Sequence, residues 1–352
     1  MKTLTTISDP VYVSKDNYNL YDRLWLKILN DKRDLPFIYL LTIIHIIIVP
    51  VAVILFTGLL QGWTWWAVAV PYFYMSQLFF KGRFGLMFHC ICHRKCFKKP
   101  WQWLHGYITW IICPLFGHAP EGYFSHHMGM HHVENNMEDD TSSTMAYQRD
   151  SMKDFLAYFF KFLLVGVKDT ILYLYHRKRK KLYQRLTAGE YIYFAFCLAM
   201  CFVNLKATLV IFILPLLFAR LVMMLGNWTQ HSFIDATNPA NLYTNSINCI
   251  NTKYNHVCWN DGYHIIHHLR PGMHYTDMPA ELLKRKDEFA KNKAIVFDGI
   301  HYLHIFFYLL TKRYDKLADN LVNINNMFTS REQAIAVMKE RTRKIYLEQE
   351  IR

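Results

Sequence analysis

Charge is what this chain has least of: Asp, Glu, Lys and Arg together make up 19% of its 352 residues, against about a quarter in an ordinary soluble domain. With 53% of residues in the AVILMFWYC set, that shortfall excludes a disordered chain and argues against two soluble domains. It predicts a membrane protein. Acidic residues are the scarcer sign, 27 against 40 Lys plus Arg, a formal net charge of +13. In a membrane protein such an excess predicts contact with anionic lipid head groups. No nucleic-acid-binding module accompanies it, so no nucleic acid is expected as a partner. Internal repeats, Gly/Ser linkers and low-complexity tracts are absent too.

What is there instead is long uncharged runs. Phe37 to Leu60 is 24 residues without Asp, Glu, Lys or Arg, long enough as a helix to cross about 30 Å of hydrocarbon. Trp63 to Phe80 follows after a Gln61-Gly62 turn and opens on Trp63-Thr64-Trp65-Trp66, a run suited to an interfacial aromatic belt. A second hairpin is predicted from Thr187 to Leu225, turning at Asn204-Leu205-Lys206, with Glu190 near one end and Arg220 interrupting the other arm. An ionisable residue inside a span is a candidate functional group. Snorkelling to the interface is the plainer reading of Arg220.

The turns between paired helices carry one basic residue, Lys206. The other loops carry Lys81, Arg83, Arg94, Lys95, Lys98, Lys99 and the run Arg177 to Lys181. By the positive-inside rule both termini and the long middle loop face the cytoplasm. The first apolar run begins too far from the N-terminus, behind charged residues, for an ordinary cleaved signal peptide, so a retained anchor is expected. The expected architecture is an all-α integral membrane protein, multi-pass, in the endoplasmic reticulum or a bacterial inner membrane. It has four transmembrane helices in two hairpins and a cytoplasmic histidine-rich helical cap. The expected division is a cytoplasmic segment 1–36, a membrane domain 37–279 and a helical surface tail 280–352.

The cysteines outside the spans, Cys90, Cys92, Cys96, Cys249 and Cys258, fall on the predicted cytoplasmic side, so no disulfide framework is expected. Phe155 to Tyr175 is apolar but broken by Lys161, Lys168 and Asp169, which predicts an in-plane amphipathic helix rather than a span. Val296 to Leu310 is read the same way. Ser330 to Gln333 resembles a capping box opening a terminal helix.

Histidine, at 18 residues, is abundant and clustered. His89 and His93 form HxxxH just past the second span. His127, His131 and His132 form HxxxHH in the middle loop. His264, His267 and His268 form HxxHH after the fourth span, and Asn227 and His231 stand four apart at its end. On a helix, side chains three or four positions apart share a face about 5–6 Å apart at Cβ, the spacing at which two imidazoles converge on one ion. The four-span topology brings every cluster to the same side of the bilayer. His45, His105, His176, His301 and His304 are expected to pack. His118, His126, His256 and His274 are candidate supporting residues. Glu134, Glu138, Asp139, Asp140 and Asp261 are candidate partners for the far nitrogen of a ligating imidazole, or else solvated acids.

Nine clustered imidazoles exceed the three or four ligands of a usual zinc site, which points to two ions. Imidazole suits Fe, Cu, Ni and Zn alike, so ligand type does not choose among them. The Glu-rich pattern of soluble di-iron bundles is absent. Haem is disfavoured because pairs stacked on one helix face cannot approach opposite faces of a porphyrin. A thiolate zinc site at Cys90, Cys92 and Cys96 is the lesser alternative.

With these residues in view, the chain resembles the membrane fatty acid desaturase superfamily over Phe37 to Pro279. Two spans lead to HxxxH, a loop carries the second box, and two more spans lead to HxxHH. The continuation His267-His268-Leu-Arg-Pro-Gly-Met-His-Tyr-Thr-Asp-Met-Pro279 is desaturase-like. The second box departs from the desaturase HxxHH. Its extra residue, with Glu138-Asp139 and Ser142-Ser143 behind it, is closer to the alkane hydroxylase pattern.

The resemblance implies a non-haem di-iron centre using O2 as co-substrate to attack an unactivated C–H bond of a fatty acyl or other alkyl lipid chain. His89, His93, His127, His131, His132, His231, His264, His267 and His268 would be its ligands, and Asn227 a water-mediated partner. No cytochrome b5-type His-Pro-Gly-Gly, Gly-rich flavin or nicotinamide fingerprint, or rubredoxin-like CxxC accompanies these residues. A separate cytochrome b5-, ferredoxin- or rubredoxin-like electron donor is therefore implied. Desaturation is the expected outcome. The alternatives are hydroxylation by the same chemistry, a zinc-dependent membrane lipid hydrolase, or a metal transporter or haem-binding module.

Overall fold

The computed structural model describes residues 1–4 and 6–346, so the last six residues of the expected surface tail lie outside the described residues. The described chain is predominantly helical and gathers into two compact units interleaved in sequence. One comprises Tyr12–His127 and Leu174–Arg220, the other Met1–Val11, Met128–Tyr173 and Leu221–Arg352.

The first unit holds the most apolar helices. Leu35–Phe56 begins with proline in its first turn, where the missing N–H costs nothing. It leaves Ile46 and Val53 exposed. Inside it, His45 Nδ1 meets Leu41 O at 2.6 Å and Nε2 meets the Tyr107 hydroxyl at 2.7 Å, so this histidine packs as expected. The chain turns through Gly58 (φ +75°) and Gly62 (φ +53°). It continues as Gly62–Phe73, a π-helical turn Tyr74–Phe79, and Lys81–His93.

Lys180–Thr208 runs into a break at Asn204 (φ −158°, ψ 99°), where the turn was expected. Asn204 Oδ1 accepts from Ala207 N at 3.1 Å and its carbonyl from Thr208 Oγ1 at 2.8 Å, so this residue both ends one arm and caps the next. The second arm passes through a π-helical turn, Leu209–Ile213, into Leu214–Gln230. Gly117 (φ +73°) lets a tight turn lie against this arm: a Cβ there would stand 2.0 Å from Pro215 O.

Two stretches, Lys32–Phe56 and Lys180–Gln230, are long and apolar enough to cross a membrane. Within the second, Arg220 meets Glu190 at 3.5 Å. The two residues that interrupt the apolar pattern of the hairpin thus lie against each other across it.

The second unit is built on a short parallel strand pair, β1 (Asn248–Ile250) and β2 (Val296–Asp298), with Asn248 opposite Val296. Alternate strand residues face opposite cores. Cys249 and Phe297 pack with Phe233, Ile305 and Leu317. Ile250 and Val296 pack with Tyr263, Ile266 and Phe289. The expectation of one in-plane helix over Val296 to Leu310 is thereby corrected. Its first residues are β-branched or aromatic and pair as a buried strand, Gly299 (φ +80°) turns the chain, and only Tyr302–Leu310 is helical. Met152–His176 is a continuous helix that buries Phe155, Tyr158 and Phe162 against Met224 and Trp228 and exposes Leu156, Phe160 and Leu164. None of the eight cysteines, all among the described residues, is in a disulfide. Ser330 caps Arg331–Arg341 by accepting from Gln333 N, as its sequence predicts.

Candidate metal centre

In the second unit, four imidazoles from three parts of the chain converge. His131 lies in the π-helical turn His127–His131, His231 directly follows the helix Leu214–Gln230, and His264 and His268 stand one turn apart on His264–Leu269. All four are buried, and their candidate ligand nitrogens lie within 4.8 Å of one another.

The outer nitrogens decide the chemistry of the inner ones. His131 Nδ1 meets Asp140 Oδ2 at 2.7 Å. His231 Nδ1 meets the Asn245 carbonyl at 2.9 Å and its Oδ1 at 2.8 Å. His268 Nδ1 meets Asn135 Oδ1 at 2.9 Å. These oxygens accept, so each Nδ1 donates and each Nε2 is left facing inward. Burial pushes His231 down to about 4 and, with help from the neighbouring imidazoles, His268 well below the usual histidine range, so these two rings are neutral with the lone pair on Nε2.

His231 Nε2 and His268 Nε2 both face His264 Nε2, at 3.3 and 3.0 Å. One N–H on His264 serves only one of them. The imidazole left unserved keeps a buried lone pair with no proton to meet, which a cation among these nitrogens would satisfy, so the donors fit a metal ion. Imidazole nitrogen with outer-nitrogen hydrogen bonds is the arrangement that metal-ligating histidines adopt.

Beside this cage, His132 Nε2 meets His267 Nε2 at 2.8 Å, and the His132 ring stacks on His268 with centroids 4.8 Å apart. In the other unit, His89 and His93 from Lys81–His93 meet His127, with ring centroids 4.5 to 5.0 Å apart and His93 Nε2 2.9 Å from His127 Nε2. Tyr123 stacks on His127 at 5.1 Å. Each histidine box therefore presents its imidazoles to at least one partner of the same kind.

A family model described as Fatty acid desaturase matches residues 63–299, more than half of the chain. The chain belongs to the fatty acid desaturase family. That family is one of oxidoreductases, and membership together with the two apolar stretches points to a membrane protein. No curated protein and no solved structure matches this family member.

Its supporting residues sort differently from the expectation. Of the acidic run after the second box, Glu138 and Asp139 are exposed and Asp140 turns inward. Asp140 also accepts from Asn136 N, Ser142 N and Ser142 Oγ at 3.1, 2.8 and 2.6 Å. Glu134 accepts from the Tyr173 hydroxyl. Asp261 accepts from Tyr254 at 2.7 Å, and burial raises it to about 6. Asn227 donates to Ser142 O and to the Tyr158 hydroxyl, both at 2.8 Å, so it ties the helix end to the Asp140–Ser142 turn.

The His118 ring centroid lies 5.8 Å from that of Tyr123, His274 caps a 3-10 turn and His256 is exposed. Sequence reasoning missed Asn135 and Asn245. The available signal for the first was the Asn135-Asn136 pair, two residues in left-handed conformation (φ 48° and 61°) just after the second box. For the second there was none.

Proposed function

We propose that this chain is a membrane-bound, non-haem di-iron, O2-dependent oxidoreductase that desaturates a fatty acyl or other long alkyl lipid chain. The observation that carries this reading is the buried cage of His131, His231, His264 and His268, whose inner nitrogens face one another, in a chain of the desaturase family. The cage is the ligand set of one ion. His89, His93, His127, His132 and His267 are the remaining imidazole donors, and Asn227 contributes through water. When bound, a pair of irons supplies reduction of O2 to water with two electrons from a separate donor protein and removal of two hydrogens from the alkyl chain.

The chain's own residues do the positioning. Asp140, Asn135 and Asn245 keep three Nδ1 atoms protonated and their Nε2 atoms inward. Burial of the four rings keeps water from competing for them. Four spans with both termini cytoplasmic place the centre at the end of apolar helices. An alkyl chain then reaches it without becoming fully hydrated.

The test is turnover of a deuterated acyl chain by the membrane-embedded enzyme with an electron donor. Desaturation predicts loss of two deuteriums, unsaturation and no label from 18O2 in the lipid. Incorporated oxygen assigns hydroxylation instead, the reaction of the alkane hydroxylases that the HxxxHH second box resembles. Product formed without O2 contradicts both and supports the zinc-dependent hydrolase.

A further inference from the structure

We infer that Asn135 and Asn245 are positioning residues that hold His268 and His231 as one coupled pair, and that their being amides rather than carboxylates raises the reduction potential of the ion in the cage. This rests on the metal-centre reading above.

The orientation of Asn245 is fixed by its neighbours. Its Nδ2 donates to Pro239 O at 2.7 Å and to Asn135 O at 3.0 Å, so the oxygen is the atom that faces His231 Nδ1 at 2.8 Å. The Asn245 carbonyl reaches the same nitrogen at 2.9 Å. Asn135 sits in left-handed conformation (φ 48°, ψ 52°), which asparagine tolerates better than most residues. In that conformation its carbonyl meets Asn245 while its side-chain oxygen meets His268 Nδ1 at 2.9 Å. One residue therefore touches both outer shells, and moving either asparagine disturbs both imidazoles.

The chemistry of the partners is unequal. His131 leans on a carboxylate, His231 and His268 on neutral amides. A carboxylate partner makes an imidazole a stronger donor and favours the more oxidised ion; an amide orients the ring without adding charge. The cage thus has one strongly supported ligand and two that are oriented but not enriched. Asn135→Asp would add a second carboxylate in the same shape.

The left-handed backbone supplies a clean deletion. Asn135→Gly removes the acceptor for His268 while keeping a residue at ease in that conformation. In detergent-purified, iron-loaded protein, Asn135→Gly is expected to weaken iron retention against a chelator at least about tenfold. Its metal-free melting temperature should stay near wild type. Asn245→Ala should weaken retention likewise, and the double variant should lose less than the two losses combined, because each already disturbs the partner. Asn135→Asp should retain iron and lower its midpoint potential. If Asn135→Gly retains iron like wild type, or Asn135→Asp leaves the potential unmoved, the proposal fails while the metal-centre reading stands. If the wild-type protein takes up no iron, the metal-centre reading fails and this inference with it.

Discussion

Asp140 accepts from His131, from two backbone amides and from the Ser142 hydroxyl, so a single carboxylate orients one candidate ligand and shapes the turn behind it. Asp140→Ala is expected to weaken metal binding about 10- to 100-fold, measured by chelator competition, with Asp140→Asn intermediate because one oxygen still accepts. His231 gives a pH prediction for the metal-free protein. Its pKa falls from 6.5 unfolded to about 4 folded, so below pH 6.5 the unfolded chain takes up the proton first. Stability is therefore fully present above that value and declines as pH falls towards 4, by about 3 kcal/mol from this one ring at about 1.36 kcal/mol per unit. A metal-free melting temperature that does not fall between pH 6.5 and 4 contradicts a neutral buried ring.

The ligand candidates were legible at this scale because HxxxH and HxxHH are spacings within one helical turn. Their partners were not. Asn245 reaches His231 from 14 residues away through a loop, and no local periodicity records such a contact. Glu138, Asp139 and Asp140 are chemically interchangeable on paper; only the backbone turn selects the last.

At the scale of elements, the uncharged runs identified the apolar helices, and Asn204 marked the turn between two of them because an asparagine can end one helix and cap the next. Val296 to Leu310 misled because a short apolar run reads equally well as a buried strand or a surface helix. What decided it was pairing with Asn248–Ile250, far away in sequence. The turn at Gly117 is equally non-local. Gly117→Ala would place a methyl group 2.0 Å from Pro215 O at φ +73°, a combined strain and clash worth at least about 2 kcal/mol. Its melting temperature in detergent should drop by several degrees, whereas Gly106→Ala, with nothing within 4 Å of the added Cβ, should change little.

Over the whole molecule, the unit that carries the cage is assembled from three separated segments, the first being Met1–Val11. Asp9 is buried there and accepts from Asn251 N, Thr252 N and the Tyr263 hydroxyl at 2.7, 3.2 and 2.6 Å, beside the third histidine box. Asp9→Ala should therefore lower the melting temperature and iron content together, although it lies 255 residues from His264. An unchanged iron content would show that the N-terminal segment is mere covering. Nothing local marks this anchoring, since a lone aspartate in a polar N-terminal stretch reads as solvated.

The proposed function requires these imidazoles to hold two irons, one of them within the His131, His231, His264 and His268 cage. The direct test is elemental analysis with Mössbauer spectroscopy of the purified full chain, wild type against His231→Ala/His264→Ala. About two irons are expected in the wild type and about one in the variant. Zinc in place of iron, or the same iron content in both proteins, would contradict it.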